Sequence, residues 1–148
     1  MNLPGDVGPT VEACLAQTWE FLTGSEMSFR VASDDFAVAE PALHFFIRLS
    51  PPAAPWGAGA ILSLEAGCLD SPGEIAGEIC NVCSGCVRRI FPNRNDLDIG
   101  VPVVLGPDQA ARLLAGARIV RCYASEGGNA RFLAFESDSP LDPSCISN

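Results

Sequence analysis

An acid and an amide stand three residues apart at Glu78 and Asn81, inside the stretch E-I-A-G-E-I-C-N-V-C-S-G that runs from Glu74 to Gly85. On a helix, side chains at i and i+3 are neighbours on one face. A carboxylate and a carboxamide so placed can hold one partner group and orient one water molecule together. The helix itself is announced by several signals. Ser71 is a good N-cap, Pro72 suits the first helical position, and Glu74 follows the cap by three residues. Ile75, Ile79, Val82, Cys83, Cys86 and Ile90 then recur at helical spacing and form the buried stripe. At about 100° per residue, Glu74, Glu78, Asn81 and Gly85 fall in a second, narrow stripe beside it. Gly85 costs roughly 1 kcal/mol of helix stability relative to Ala, and leaves room next to Asn81 for a close approach. By spacing alone, the same stripe also reads as an ordinary solvated helix flank.

Other reactive residues compete for attention. Cys80, Cys83 and Cys86 form C-x-x-C-x-x-C, which invites a metal or iron–sulfur reading. On a straight helix the three fan across about 120° rather than converging, no fourth Cys follows at ferredoxin spacing, and packing is the simpler role. His44, the single histidine, lies in an apolar run beside Phe45 and Phe46 without a plausible Ser or Cys partner, and reads as a packed or strand-surface residue. Arg88 and Arg89 complement the dipole at the end of the motif helix. Trp56, between Pro55 and Gly57, reads as loop packing or as an anchor for a partner. No Walker-type phosphate loop and no dinucleotide fingerprint is present.

The elements that must position these residues follow from pattern. Thr10 caps a helix over about 11–23 whose buried face is Val11, Cys14, Leu15, Trp19 and Leu22, with Gly24 as its stop. Residues 27–36 hold at most a short strand. Ala42–Leu49 and Gly57–Leu64 read as strands around a Pro-rich loop at 51–55. After the motif helix and the polar connection 92–98, Val101–Leu105 is an apolar run of strand length and 108–115 a short helix. Ile119–Ala124 and Ala130–Glu136 flank Ser125-Glu126-Gly127-Gly128-Asn129, a hairpin turn with Gly for positive φ. The expectation is an α+β domain over 10–136: a mainly antiparallel sheet with two long helices packed on one face, a flexible N-terminus over 1–9 and a flexible tail over 137–148.

This arrangement resembles a shortened variant of the CheX/CheC-type chemotaxis phosphatases. Glu74, Glu78 and Asn81 are similar to the family's (Asp/Ser/Glu)-x-x-x-Glu-x-x-Asn helix motif, and Ser84-Gly85 to the small residues that continue it. Ile99-Gly100-Val101-Pro102-Val103-Val104-Leu105-Gly106 looks like the family's (I/L)-x-x-P-x-V-x-G strand. Val11–Gly24 resembles its first helix, Gly57–Leu64 its Gly-bearing strand, and residues 117–136 its closing hairpin. The resemblance implies a protein that hydrolyses the aspartyl phosphate of a CheY-type receiver domain. Asn81 would orient the attacking water and Glu78 would engage the receiver's active-site Lys, with Glu74 and Gly85 as contacts to the partner. It implies no cofactor in this chain; Mg²⁺ belongs to the receiver. Family members pair through sheet edges, which leaves a homodimer open. The connection from Glu65 to Gly73 is short for the family, and this supports an alternative: a non-catalytic binding module that docks a signalling partner through the same helix.

Composition sets outer bounds. With 148 residues, 48% of them hydrophobic and 18% charged, the chain has the length and apolar content of one globular domain. Its net charge is −9 and all nine cations are Arg, which argues against a nucleic-acid footprint. No uninterrupted apolar run reaches membrane-spanning length, and the N-terminus lacks the basic and apolar regions of a signal peptide. Seven Cys without framework spacing fit a reducing compartment. The expected location is the cytoplasm.

Overall fold

Nine consecutive residues, Gly57–Glu65, form a strand buried at every position except its last. A strand apolar on both sides must be covered on both sides, and the architecture follows from that demand. The computed structural model describes residues 10–33, 36–67 and 89–141. The elements in chain order are α1 (Val11–Thr23), β1 (Phe29–Val31), β2 (Ala42–Arg48), β3 (Gly57–Glu65), β4 (Val103–Leu105), α2 (Pro107–Ala115), β5 (Arg118–Ser125) and β6 (Ala130–Ser137). The strands form one six-stranded sheet in the order β1-β5-β6-β3-β2-β4. Every neighbouring pair is antiparallel, so the expected α+β class with an antiparallel sheet is what the chain adopts.

The register sorts side chains into two layers. Phe45 faces Leu62, Leu62 faces Phe132 and Phe132 faces Tyr123 across four strands, and this row joins Val11, Leu15 and Trp19 of α1 in one cluster. One residue along, Phe46, Ile61, Leu133 and Cys122 form the matching row on the opposite face, covered by Ala110 and Leu113 of α2. Period-two alternation puts successive residues on opposite faces, and here both faces are apolar.

α1 begins and ends where its residue types dictate. The Thr10 hydroxyl accepts the N–H of Ala13 at 3.2 Å. Gly24 closes the helix at φ 74°, its N–H bonded to the Glu20 carbonyl, a left-handed conformation that glycine adopts without a steric cost. Trp19 meets Phe29 edge-on, ring centres 6.1 Å apart. The second expected long helix lies largely outside the described residues. Arg89 and Ile90 are helical where the chain resumes, and Ile90 and Phe91 are buried in the same cluster as α1. The short α2 lies on the other face because the Phe46–Ile61–Leu133 row requires a cover of its own.

Several boundaries differ by a residue or two from the pattern reading. The strand expected over Val101–Leu105 starts at Val103, since Pro102 has no N–H for the ladder and Val101 is exposed. Strand β6 continues to Ser137, and the Leu141 side chain lies beside Gly57. In the β5–β6 turn, Ser125 donates to Asn129 Oδ1 at 2.7 Å and accepts the Ala130 N–H at 3.0 Å.

Phe46 and Phe135 stack with ring centres 6.1 Å apart, and Gly59 is what lets them close over the sheet. A Cβ there would stand 2.5 Å from the Phe46 ring and 3.0 Å from both the Phe135 ring and the Ile47 carbonyl. Gly59→Ala is therefore expected to cost about 1–3 kcal/mol by overpacking. At Gly116 a Cβ would meet nothing within 4 Å, and Gly116→Ala is expected to leave stability within about 0.5 kcal/mol of the parent. Urea denaturation of the two variants checks both expectations.

Candidate functional site

The motif residues Glu74, Glu78, Asn81 and Gly85, with Cys80, Cys83 and Cys86, lie outside the described residues. What the structure supplies is the frame on either side of them. Strand β3 ends at Glu65, whose N–H bonds to the Asn129 carbonyl at 2.9 Å, and the Ala66 N–H bonds to the Pro41 carbonyl at 3.0 Å. The chain resumes at Arg89, and Ile90 and Phe91 are 7% and 4% exposed. Just beyond, the Arg94 guanidinium lies 3.9 Å from the centre of the Trp56 ring, next to the start of β3. The described chain thus leaves at one end of β3 and resumes at the other. From there the Asp98 and Gly100 N–H groups bond to the Leu49 and Arg48 carbonyls at 2.9 and 2.8 Å, stitching the return path to β2 before β4 begins.

Trp56 is half-buried and packs against the α1-side cluster, which fits its reading as loop packing. Arg94 also approaches Glu136 at 4.0 Å. Glu136 pairs more closely with Arg118, and the hydrogen bond to that carboxylate, together with its charge, holds the Arg118 guanidinium above its ordinary pKa. These surface pairs close the end of the sheet where the chain resumes; exposed ion pairs of this kind contribute little stability. Beside α1, an apolar crevice is lined by Leu15, Thr18, Trp19, Leu22, Thr23, Phe29 and Leu62. It has no convergent polar groups to fix a ligand and belongs to the core.

A second polar constellation is one that pattern reading missed. His44 has both ring nitrogens engaged: Nε2 with Glu40 Oε2 at 2.9 Å and Nδ1 with Ser63 Oγ at 2.8 Å. The expectation that His44 lacked a Ser partner is corrected by the β2–β3 register, which sets His44 opposite Ser63. The available signal was Ser63 itself, one hydroxyl in the otherwise apolar run G-A-G-A-I-L-S-L. Acid, imidazole and hydroxyl in line resemble a hydrolytic triad. However, Ser63 is 0% exposed, so no substrate carbonyl reaches its oxygen and a nucleophilic role is excluded. Arg131 stands opposite Ser63 on β6. Its Nη1 donates to the Phe36 carbonyl, burial lowers its pKa from the ordinary value, and its Nε has no partner among the described residues.

Among the described residues, no three His, Cys, Asp or Glu side chains come together to hold a metal, and no helix is long and apolar enough to cross a membrane.

No family model and no curated protein matches the sequence. The architecture does match a solved structure, the chemotaxis protein CheX from Vibrio vulnificus, with a TM-score of 0.51 over 86% of this chain and 96% of that one, at 17% identity. The chain therefore has a CheX-like fold.

The seat that α1 shares with Ile90 and Phe91 is a packed cluster, with Leu15 at 3% exposure. Leu15→Ala is expected to cost about 2–5 kcal/mol through the cavity it leaves. The measurement is urea denaturation followed by tryptophan fluorescence; a loss below about 1 kcal/mol would mean the seat is loosely packed.

Proposed function

We propose that this chain is a CheX-like phosphatase that hydrolyses the aspartyl phosphate of a CheY-type receiver domain in the cytoplasm, with Glu78 and Asn81 as its catalytic pair. The observation that carries the reading is chain order. The Glu78/Asn81 motif falls between the Gly-bearing strand β3 and the Pro102-bearing approach to β4, in a chain whose fold is CheX-like.

In the proposed reaction the chain docks its helix flank against the phosphorylated receiver. Asn81 hydrogen-bonds a water and holds it in line with the phosphorus. Water oxygen bonds to phosphorus as the bond from phosphorus to the aspartyl oxygen breaks, so the carboxylate leaves and inorganic phosphate is released. Glu78 pairs with the receiver's active-site Lys and fixes the register of the two proteins. Glu74 and Gly85 complete the contact, Gly85 by letting the partner approach closely. Mg²⁺ is held by the receiver and neutralises the phosphoryl oxygens. Catalysis consists of positioning and electrostatics, with no covalent intermediate on this chain.

The short connection between Glu65 and Gly73 favours a second reading, a CheX-like module that binds a signalling partner without accelerating hydrolysis. The two readings separate in one assay, the dephosphorylation rate of phosphorylated CheY-type receivers with and without this protein. Acceleration is expected, and Asn81→Ala is expected to reduce it about 10²-fold while leaving the denaturation midpoint unchanged. Undiminished acceleration in the variant removes Asn81 from the mechanism. Binding without acceleration across several receivers assigns the chain to the second reading.

A further inference from the structure

We propose that Glu40, His44 and Ser63 form a proton-reading latch that fastens the strap of chain at 36–42 to the sheet. The strap is tied at several points. The Phe36 carbonyl accepts from Arg131, Val38 is buried, and the Pro41 carbonyl accepts the Ala66 N–H at 3.0 Å. Glu40 adds two contacts: Oε1 accepts the Ala42 N–H at 2.9 Å while Oε2 meets His44 Nε2 at 2.9 Å.

Hydrogen-bond inventory then fixes the protons. An ionised carboxylate only accepts, so Nε2 of His44 carries hydrogen and donates to Glu40. In the neutral ring, Nδ1 is bare, and the Ser63 hydroxyl must donate to it. When the ring takes a second proton at Nδ1, the Ser63 hydroxyl must reverse and accept, and the contact with Glu40 becomes an ion pair. Ser63 is fully buried, and Arg131, its neighbour across the ladder, offers donors only. The charge of one imidazole is therefore written in the direction of one buried hydroxyl and in the strength with which Glu40 holds the strap. Among the described residues this set is faced by Arg131 on β6, Glu65 opposite Ala42 on β3, Leu105 opposite His44 on β4, and Cys122 on β5 in the next row.

His44 is the single histidine, so its ring can be observed without assignment ambiguity. Long-range ¹⁵N–¹H spectra of the full chain, recorded between about pH 8 and about pH 5, are expected to show the neutral ring as the Nε2–H tautomer; an Nδ1–H tautomer overturns the latch. Amide hydrogen exchange supplies the second arm. Glu40→Ala is expected to speed exchange at Ala42 and Ala66 by about tenfold or more while leaving Leu133 and Phe135 unchanged. In the parent chain, protection at Ala42 and Ala66 relative to the intrinsic exchange rate at each pH is expected to rise when the ring carries its second proton, and in Glu40→Ala to stay flat. Exchange at Ala42 and Ala66 that ignores the substitution, or that rises equally throughout the sheet, overturns the proposal.

Discussion

The fold depends on the burial of β3. From Gly57 to Leu64 its residues alternate between two faces and all are buried, so neither face can be left to water and the sheet becomes the middle layer of three. On one side the Phe45–Leu62–Phe132–Tyr123 row is covered by α1 together with Ile90 and Phe91. On the other, the Phe46–Ile61–Leu133–Cys122 row is covered by α2. The small residues of β3 are as necessary as the large ones. Gly59 leaves the space in which Phe46 and Phe135 stack, and Ala58 and Ala60 let the α1-side cluster come close to the backbone.

The same burial explains why the polar residues of the central strands come in bonded sets. A hydroxyl on a wholly buried strand must find a partner or carry its full desolvation cost. Ser63 finds His44, and His44 finds Glu40 at the wetter end of the strap. The resulting line runs from a half-exposed carboxylate to a fully buried hydroxyl. Its resemblance to a hydrolytic triad is one of residue types alone. Access to the oxygen, which a nucleophile requires, is denied by the layers that make the strand stable.

Function in the proposed reading lies in the chain between β3 and β4, and the frame is built to hold its ends. The exit is bound by backbone hydrogen bonds from Glu65 and Ala66. The return is bound by apolar burial of Ile90 and Phe91 and by Arg94 over Trp56. A reaction that works by positioning needs a rigid mount more than it needs reactive groups, and a two-sided core with anchored ends supplies one.

Features set by neighbours along the chain were legible in the sequence. The Thr10 cap, the Gly24 stop, the Gly-bearing β5–β6 turn and the spans of β2 and β3 all follow from local chemistry, since caps, turns and period-two runs involve residues a few positions apart. The Glu78/Asn81 pair was legible as a candidate for the same reason: three residues on a helix is a local distance. Tertiary structure alone decided what depends on register. That His44 faces Ser63, nineteen positions away, that Arg131 stands behind them, and that α2 covers the Phe46 face are outcomes of how strands pair. A shift of one residue would have sent each of these side chains to the opposite layer, and nothing near them in the chain states which pairing wins. That choice is made by the summed burial of two apolar faces at once, a property of the assembled sheet rather than of any segment in it.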